Sequence, residues 1–164
     1  MVDQQPDAAN VRASNYYVAH TDTRCGQCLR STPVLALVLP EEHEALDAET
    51  ADGLNEWQSV SANAIVFYVV YLPHAVQARV SQLCPTFRLA HSAATANSYW
   101  ANHCAHCGAL LGDHELHCEP DRGFMPSSEA EAARIRLFRI DDAFEAAAAG
   151  YALEPEFFEF MRKV

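Results

Sequence analysis

No apolar run in the chain approaches the ~20 residues that a membrane-spanning helix needs. The longest, Ala64 to Leu72, is only strand-sized. The opening residues, Met1-Val-Asp-Gln-Gln-Pro-Asp7, lack the basic and apolar regions of a secretory signal, so a cytoplasmic location is expected. Positive charge is scarce: 11 Lys+Arg stand against 22 Asp+Glu, giving a formal charge of −11. Such a surface repels the phosphates of nucleic acid at long range. It is compatible with a protein partner whose own surface is basic. The usual catalytic signatures are missing as well: there is no G-x-S-x-G, no glycine-rich phosphate loop and no H-E-x-x-H. These absences favour a non-enzymatic interaction domain over an enzyme.

What is present fits one domain of ordinary size. The chain has 164 residues, 50% hydrophobic and 10% aromatic, enough to bury a core. Residues 1–13 are polar and read as a flexible leader, and 14–164 as a single domain. Asn15–His20 is rich in strand formers, and Pro33–Leu39 reads as the next strand. Leu46, Leu54 and Trp57 fit one face of a short helix, which Gly53 weakens. Ala64–Leu72 is apolar on both faces, as a central strand would be. Pro73 then opens a helix carrying Val76, Val80 and Leu83, and Pro85 ends it. Residues 86–98 read as a loop, and Glu115–Cys118 as part of a strand. Ser127-Ser-Glu-Ala-Glu opens like a capped helix. Arg134–Ile140 largely alternates, as a strand does, and Glu154–Met161 suggests a short terminal helix.

The chemistry concentrates in cysteine. There are six, at 25, 28, 84, 104, 107 and 118. Without a secretory signal, paired C-x-x-C motifs read as metal ligands rather than disulfides. Two cysteines two residues apart can turn both sulfurs toward one ion, so Cys25, Cys28, Cys104 and Cys107 together supply the four ligands that zinc prefers. Gly26 lies inside the first knuckle and Gly108 directly follows the second, where a positive φ is useful. Seventy-five residues, 29 through 103, separate the pairs, so 40–98 reads as an insertion between two knuckles. With four thiolates and one zinc, the formal charge falls from −11 to about −13.

Two rival chemistries remain open. Cys25-Gly-Gln-Cys28 superficially resembles a thioredoxin-type redox pair, but a predicted strand follows where that fold has a helix. His103, His106, His114, His117 and Cys118 crowd the second knuckle and raise a second metal site, hence a metalloenzyme. Strand alternation would separate His114 from His117 and weaken that reading. Arg134, Arg136 and Arg139 offer a local basic patch, the one feature that suits a nucleic-acid-binding ribbon.

At its knuckles the chain resembles the zinc-ribbon group. The resemblance rests on Cys25-Gly-Gln-Cys28 and on Tyr99-Trp-Ala-Asn-His-Cys-Ala-His-Cys-Gly-Ala-Leu-Leu-Gly-Asp113, which is similar to a pattern in uncharacterised bacterial zinc-ribbon proteins. It covers about a third of the chain and implies one structural zinc on four cysteines. Zinc ribbons serve many unrelated functions. The expected architecture is therefore α+β, an antiparallel sheet built around a split ribbon with two knuckle hairpins and a few short helices. The expected function is that of an acidic, zinc-stabilised interaction domain, one concrete version being an immunity-type protein that neutralises a basic toxin.

Overall fold

The computed structural model describes residues 9–47, 56–94 and 96–164. In chain order the elements are β1 (Val11–Ala13), β2 (Tyr16–Arg24), β3 (Ser31–Leu39), β4 (His43–Asp47), β5 (Glu56–Val60), β6 (Ala64–Tyr71), α1 (His74–Leu83), β7 (Phe87–Ser92), β8 (Asn97–His103), β9 (Leu110–Leu111), α2 (Asp113–Cys118), α3 (Glu129–Ala132), β10 (Arg136–Ile140), β11 (Phe144–Leu153) and β12 (Arg162–Lys163). The fold is α+β and mostly antiparallel. The main sheet runs β12-β10-β2-β3-β6-β11-β1-β4-β5, with β8 joined to β6 and flanked by β7 and β9. Only the β10–β12 pair among these strands is parallel.

Successive side chains of a strand point to opposite faces, and β3 shows how this builds two cores. Leu35, Leu37 and Leu39 enter one cluster with Val76 and Val80 of α1. Val34, Ala36 and Val38 enter the other, which holds Leu116 of α2, Phe124, Ile135 and Met161. Both faces of β3 are covered, which explains its nearly unbroken apolar sequence. Cys25 and Cys104 belong to the second cluster, so both cysteine pairs rest on that core.

Several expectations need correction. Val11–Ala13, assigned to the loose leader, is a strand between β11 and β4, with Val11 buried. The short helix expected around Leu46 and Trp57 is a hairpin instead, with those two residues paired across β4 and β5; Leu54 lies outside the described residues. The loop expected over 86–98 contains β7, which pairs along its length with β8. Glu115–Cys118 is helical, not extended. Pro73 is the residue before α1 rather than its first. The terminal helix shrinks to a 3₁₀ turn, Phe158–Phe160. The capped helix is present: Ser128 Oγ accepts from Glu131 N at 3.1 Å, and Glu131 Oε2 accepts from Ser127 N at 2.7 Å.

The two cysteine pairs meet because the sheet forks at Tyr68. Leu37, Val38 and Leu39 of β3 pair with Val66, Ile65 and Ala64. Continued, that ladder would set Leu35 opposite Tyr68, but there β3 leaves and β8 takes its place, with Val69 opposite Trp100. Tyr68 has a φ of 49°, a left-handed conformation that costs a non-glycine residue about 1–2 kcal/mol. It breaks the alternation of β6, so that Val66 and Val69, three apart, face the same core. The fork strands backbone groups of β3, and buried Asn102 of β8 takes them. Its Oδ1 accepts from Leu35 N at 2.8 Å and its Nδ2 donates to Leu35 O at 2.9 Å. Truncating Asn102→Ala leaves a buried donor and acceptor unpaired and should cost about 3 kcal/mol in urea unfolding. A loss under about 0.5 kcal/mol, the range of ordinary surface changes, would contradict this role.

Candidate metal centre

The hairpin β2–β3 turns through Cys25–Arg30 and the hairpin β8–β9 through Cys104–Ala109. The two turns repeat each other bond for bond. Cys25 N donates to Arg30 O at 2.9 Å, as Cys104 N does to Ala109 O at 2.9 Å. Leu29 N donates to Cys25 O at 3.0 Å, as Gly108 N does to Cys104 O at 2.9 Å. Within each turn an amide reaches back to the first sulfur: Gln27 N to Cys25 Sγ and His106 N to Cys104 Sγ, both at 3.4 Å. The position that needs a positive φ is the one after the second cysteine, held by Gly108 at 75° and by Leu29 at 64°. Gly26, expected to serve the first knuckle's geometry, has no such φ.

The turns are pinned together by polar contacts from outside the motif. Buried Thr32 accepts at Oγ1 from Ala105 N at 2.9 Å, and His106 Nε2 donates to Ser31 O at 3.0 Å. Together with Asn102 these set one knuckle against the other. All four sulfurs then lie within 4.8 Å of one another, with Cys25–Cys107 and Cys28–Cys104 each at 3.6 Å. A tetrahedral ion with sulfur bonds of ~2.3 Å requires sulfurs about 3.8 Å apart, so the donor set fits a single ion of that size. Cys25, Cys28, Cys104 and Cys107 form a cluster that could hold a metal ion. Among the described residues it is the one such group of three or more cysteine, histidine or acidic side chains.

The electrostatics of the cluster point the same way. The Cys28 N–H, then that of Gln27, holds the Cys25 thiol below its usual range. The Cys107 N–H brings Cys104 down to about 6. Cys107 accepts from the Ala109 N–H, yet partial desolvation within the cluster and the neighbouring sulfurs push it up to about 11. Four thiolates this close repel one another, and a divalent cation relieves that repulsion.

The other candidates at the second knuckle do not converge. His103 Nδ1 donates to Thr86 O at 3.1 Å. His114 and Cys118 are exposed. His117 stacks on Phe67 and Phe124, with centroids 4.8 Å and 5.3 Å away. The helical course of α2 replaces the alternation expected to separate His114 from His117; what keeps them apart is that only His117 turns into the core. Cys84 is buried beside Thr86. No helix starts at Cys25, so the redox alternative lacks the positive helix end that would activate it.

Asp113 enters the sequence reading only as the end of the ribbon-like stretch and not as a site residue. It begins α2, is almost fully buried, and accepts at Oδ2 from Tyr68 N at 2.7 Å. Its carboxylate serves the fork in the way Asn102 does. Only the aspartate directly after Gly112, at the start of a polar stretch, hinted at a helix start.

No protein-family model matches the chain, nor does any curated protein or solved structure. The fold and the site thus define an α+β domain with a four-cysteine cluster suited to a metal ion. No helix among the described residues is long and apolar enough to cross a membrane.

Burial pushes Asp113 from 3.8 up to about 7, against the opposing Tyr68 N–H. The folded protein therefore retains a proton that the unfolded chain releases, and this group's contribution to stability falls as pH rises from about 4 to about 7. Asp113→Asn keeps an acceptor for Tyr68 and carries no charge. Its stability relative to the parent should rise across that window and level off above it, when both proteins are unfolded in urea at matched pH and matched metal content. A difference independent of pH would contradict the burial of an ionisable carboxyl. Burial lowers His117 to about 3, but that residue is common to both proteins and cancels in the comparison.

Proposed function

We propose that the ion is zinc, that it is structural, and that the chain is a non-enzymatic domain docking a basic protein partner. The observation that carries this reading is the convergence of four sulfurs with, among the described residues, no other ligand. Four thiolates fill a tetrahedral sphere, whereas catalytic zinc keeps one position for water or substrate. Zinc bound to a closed site supplies cohesion between the hairpins and little else. The resemblance of the knuckles to zinc ribbons supports the same metal. Function then falls to the surface, and the surface is acidic, with a formal charge of −11 before any metal is bound. An immunity-type protein that neutralises a basic toxin is one concrete form of this reading, supported by size, acidity and the closed centre.

The nucleic-acid alternative is weakened at the patch that motivated it. Arg139 is paired with Asp141 at 2.7 Å. Arg136 leans over the Phe138 ring. Arg134 lines a cleft where it, Arg24 and Arg122 are balanced by Asp22, Asp121 and Glu131.

Structural zinc contributes an apparent ~10–16 kcal/mol in small peptides, as much as or more than the ~5–15 kcal/mol stability of a typical domain. Metal analysis should find one zinc per chain. Stripping it with a chelator should abolish the cooperative melt and unfold at least the knuckle hairpins. Circular dichroism and melting unchanged after complete removal would refute a structural zinc. Affinity for basic protein partners should fall steeply with salt, and binding indifferent to salt would refute electrostatic docking.

A further inference from the structure

Two clefts of about 510 Å³ and 240 Å³ meet at Glu154 and Pro155, where the chain leaves β11. The path is fixed there. Glu154 and Phe157 adopt positive φ values of 47° and 61°, and Glu154 N donates to Asn63 O at 2.9 Å. The smaller cleft is mainly apolar, with Phe124 inside and Met125 and Leu153 exposed at 38% and 52%. The larger has Phe157 and Phe158 in its wall. Four carboxylates, Glu41, Glu154, Glu156 and Glu159, surround the pair of clefts against one cation, Lys163. Among the described residues none of the four forms an ion pair.

His117 adds a second, independent mark of a ligand. Its ring is enclosed by Phe67 and Phe124 and also lines the smaller cleft. Neither ring nitrogen has a hydrogen-bond partner among the described residues. No fully enclosed polar side-chain atom there lacks a partner, so the unpaired nitrogens keep some exposure, on a ring that lines the cleft. A neutral imidazole offers one donor and one acceptor. An apolar pocket with one such polar group, rimmed by unpaired carboxylates, is complementary to an apolar side chain flanked by cations.

We propose that this double cleft is the docking site for a basic segment of a protein partner, taking an apolar side chain over His117 and Phe124 and placing adjacent lysine or arginine side chains against Glu154, Glu156 and Glu159. The inference rests on the reading of the chain as an acidic docking domain and locates where that docking occurs. The same carboxylates repel phosphate, whether of nucleic acid or of anionic lipid. A second copy of this chain carries the same negative charge and is disfavoured for the same reason.

The test uses the full, zinc-loaded chain and two fluorescent peptides of equal length and charge, one alternating lysine with leucine and the other lysine with glutamine. Anisotropy at low salt should show the leucine peptide binding roughly tenfold or more tighter, as burial of one or more leucine side chains implies. Leu153→Ser should remove most of that preference, and the double change Glu156→Gln with Glu159→Gln should weaken both peptides. These side chains are exposed, and circular dichroism verifies that the variants fold. Equal binding of the two peptides, untouched by the variants, would overturn the cleft while leaving acidic docking intact. Failure of both peptides to bind at low salt would overturn the docking reading and the cleft with it. A concentration-dependent dimer abolished by Leu153→Ser would identify the occupant as a second copy and overturn the partner proposed.

Discussion

Where β3 leaves β6 and β8 replaces it, peptide groups are stripped of ladder partners inside the protein, and their satisfaction constrains everything around them. A buried unpaired amide or carbonyl costs on the order of 1–3 kcal/mol. Asn102 meets both groups of Leu35, and Asp113 meets the amide of Tyr68. With those bonds in place, β3 and β8 leave one edge of β6 side by side, and the hairpin tips that follow carry one cysteine pair each. The cysteine cluster is thus a consequence of a divided sheet edge as much as of the cysteine motifs.

The same division explains the strength asked of a metal. Residues 29 through 103 lie between the two pairs, so the second knuckle must find the first across a long loop. Closure entropy grows only slowly with loop length, which makes so distant a partnership tolerable. The hairpins are not joined by a backbone ladder to each other; they are linked by side-chain bonds such as those of Thr32, His106 and Asn102, by the packing of the second core and by the sulfur cluster. The first cysteine of each pair is buried in the core while Cys107 is exposed. An ion there would tie the second core to the tips of both hairpins at once.

How much of this was legible depended on whether the signal was local. The two cysteine pairs were legible, because C-x-x-C geometry is complete within four residues, and the structure brings them together. The doubly buried β3 and β6 were legible as long runs of branched residues. β11 was not, because Ala146–Ala149 has low strand propensity and its register is fixed by β6 and β1. β7 and the β4–β5 hairpin are likewise held by pairing rather than by pattern. The helix α2 defeated a reading by alternation because its six residues are too few to display a period. Gly26 drew notice as the flexible residue of the first knuckle, yet the repeat of the two turns puts Leu29 in the strained place. Only a comparison of the knuckles in three dimensions shows that. Asn102 and Asp113 were invisible as site residues, since what they satisfy exists only once the sheet has forked.

A closed thiolate centre also redirects the search for function. Its sulfurs and their amide donors are occupied with one another, so the region has little left with which to recognise anything. The unpaired charges lie elsewhere, where the chain turns off β11 through two left-handed residues. Left-handed glutamate and phenylalanine are each disfavoured relative to glycine, and the path holds through the Asn63 hydrogen bond and the packing of Phe157 and Phe158 against the second core. That core is the one on which Cys25 and Cys104 rest. The cysteine cluster and the acidic clefts are therefore two sides of one packed unit: loosening the knuckles would loosen Phe124, Met161 and the turn they support. On the proposed reading, a structural ion would in this way govern recognition at a surface it does not touch.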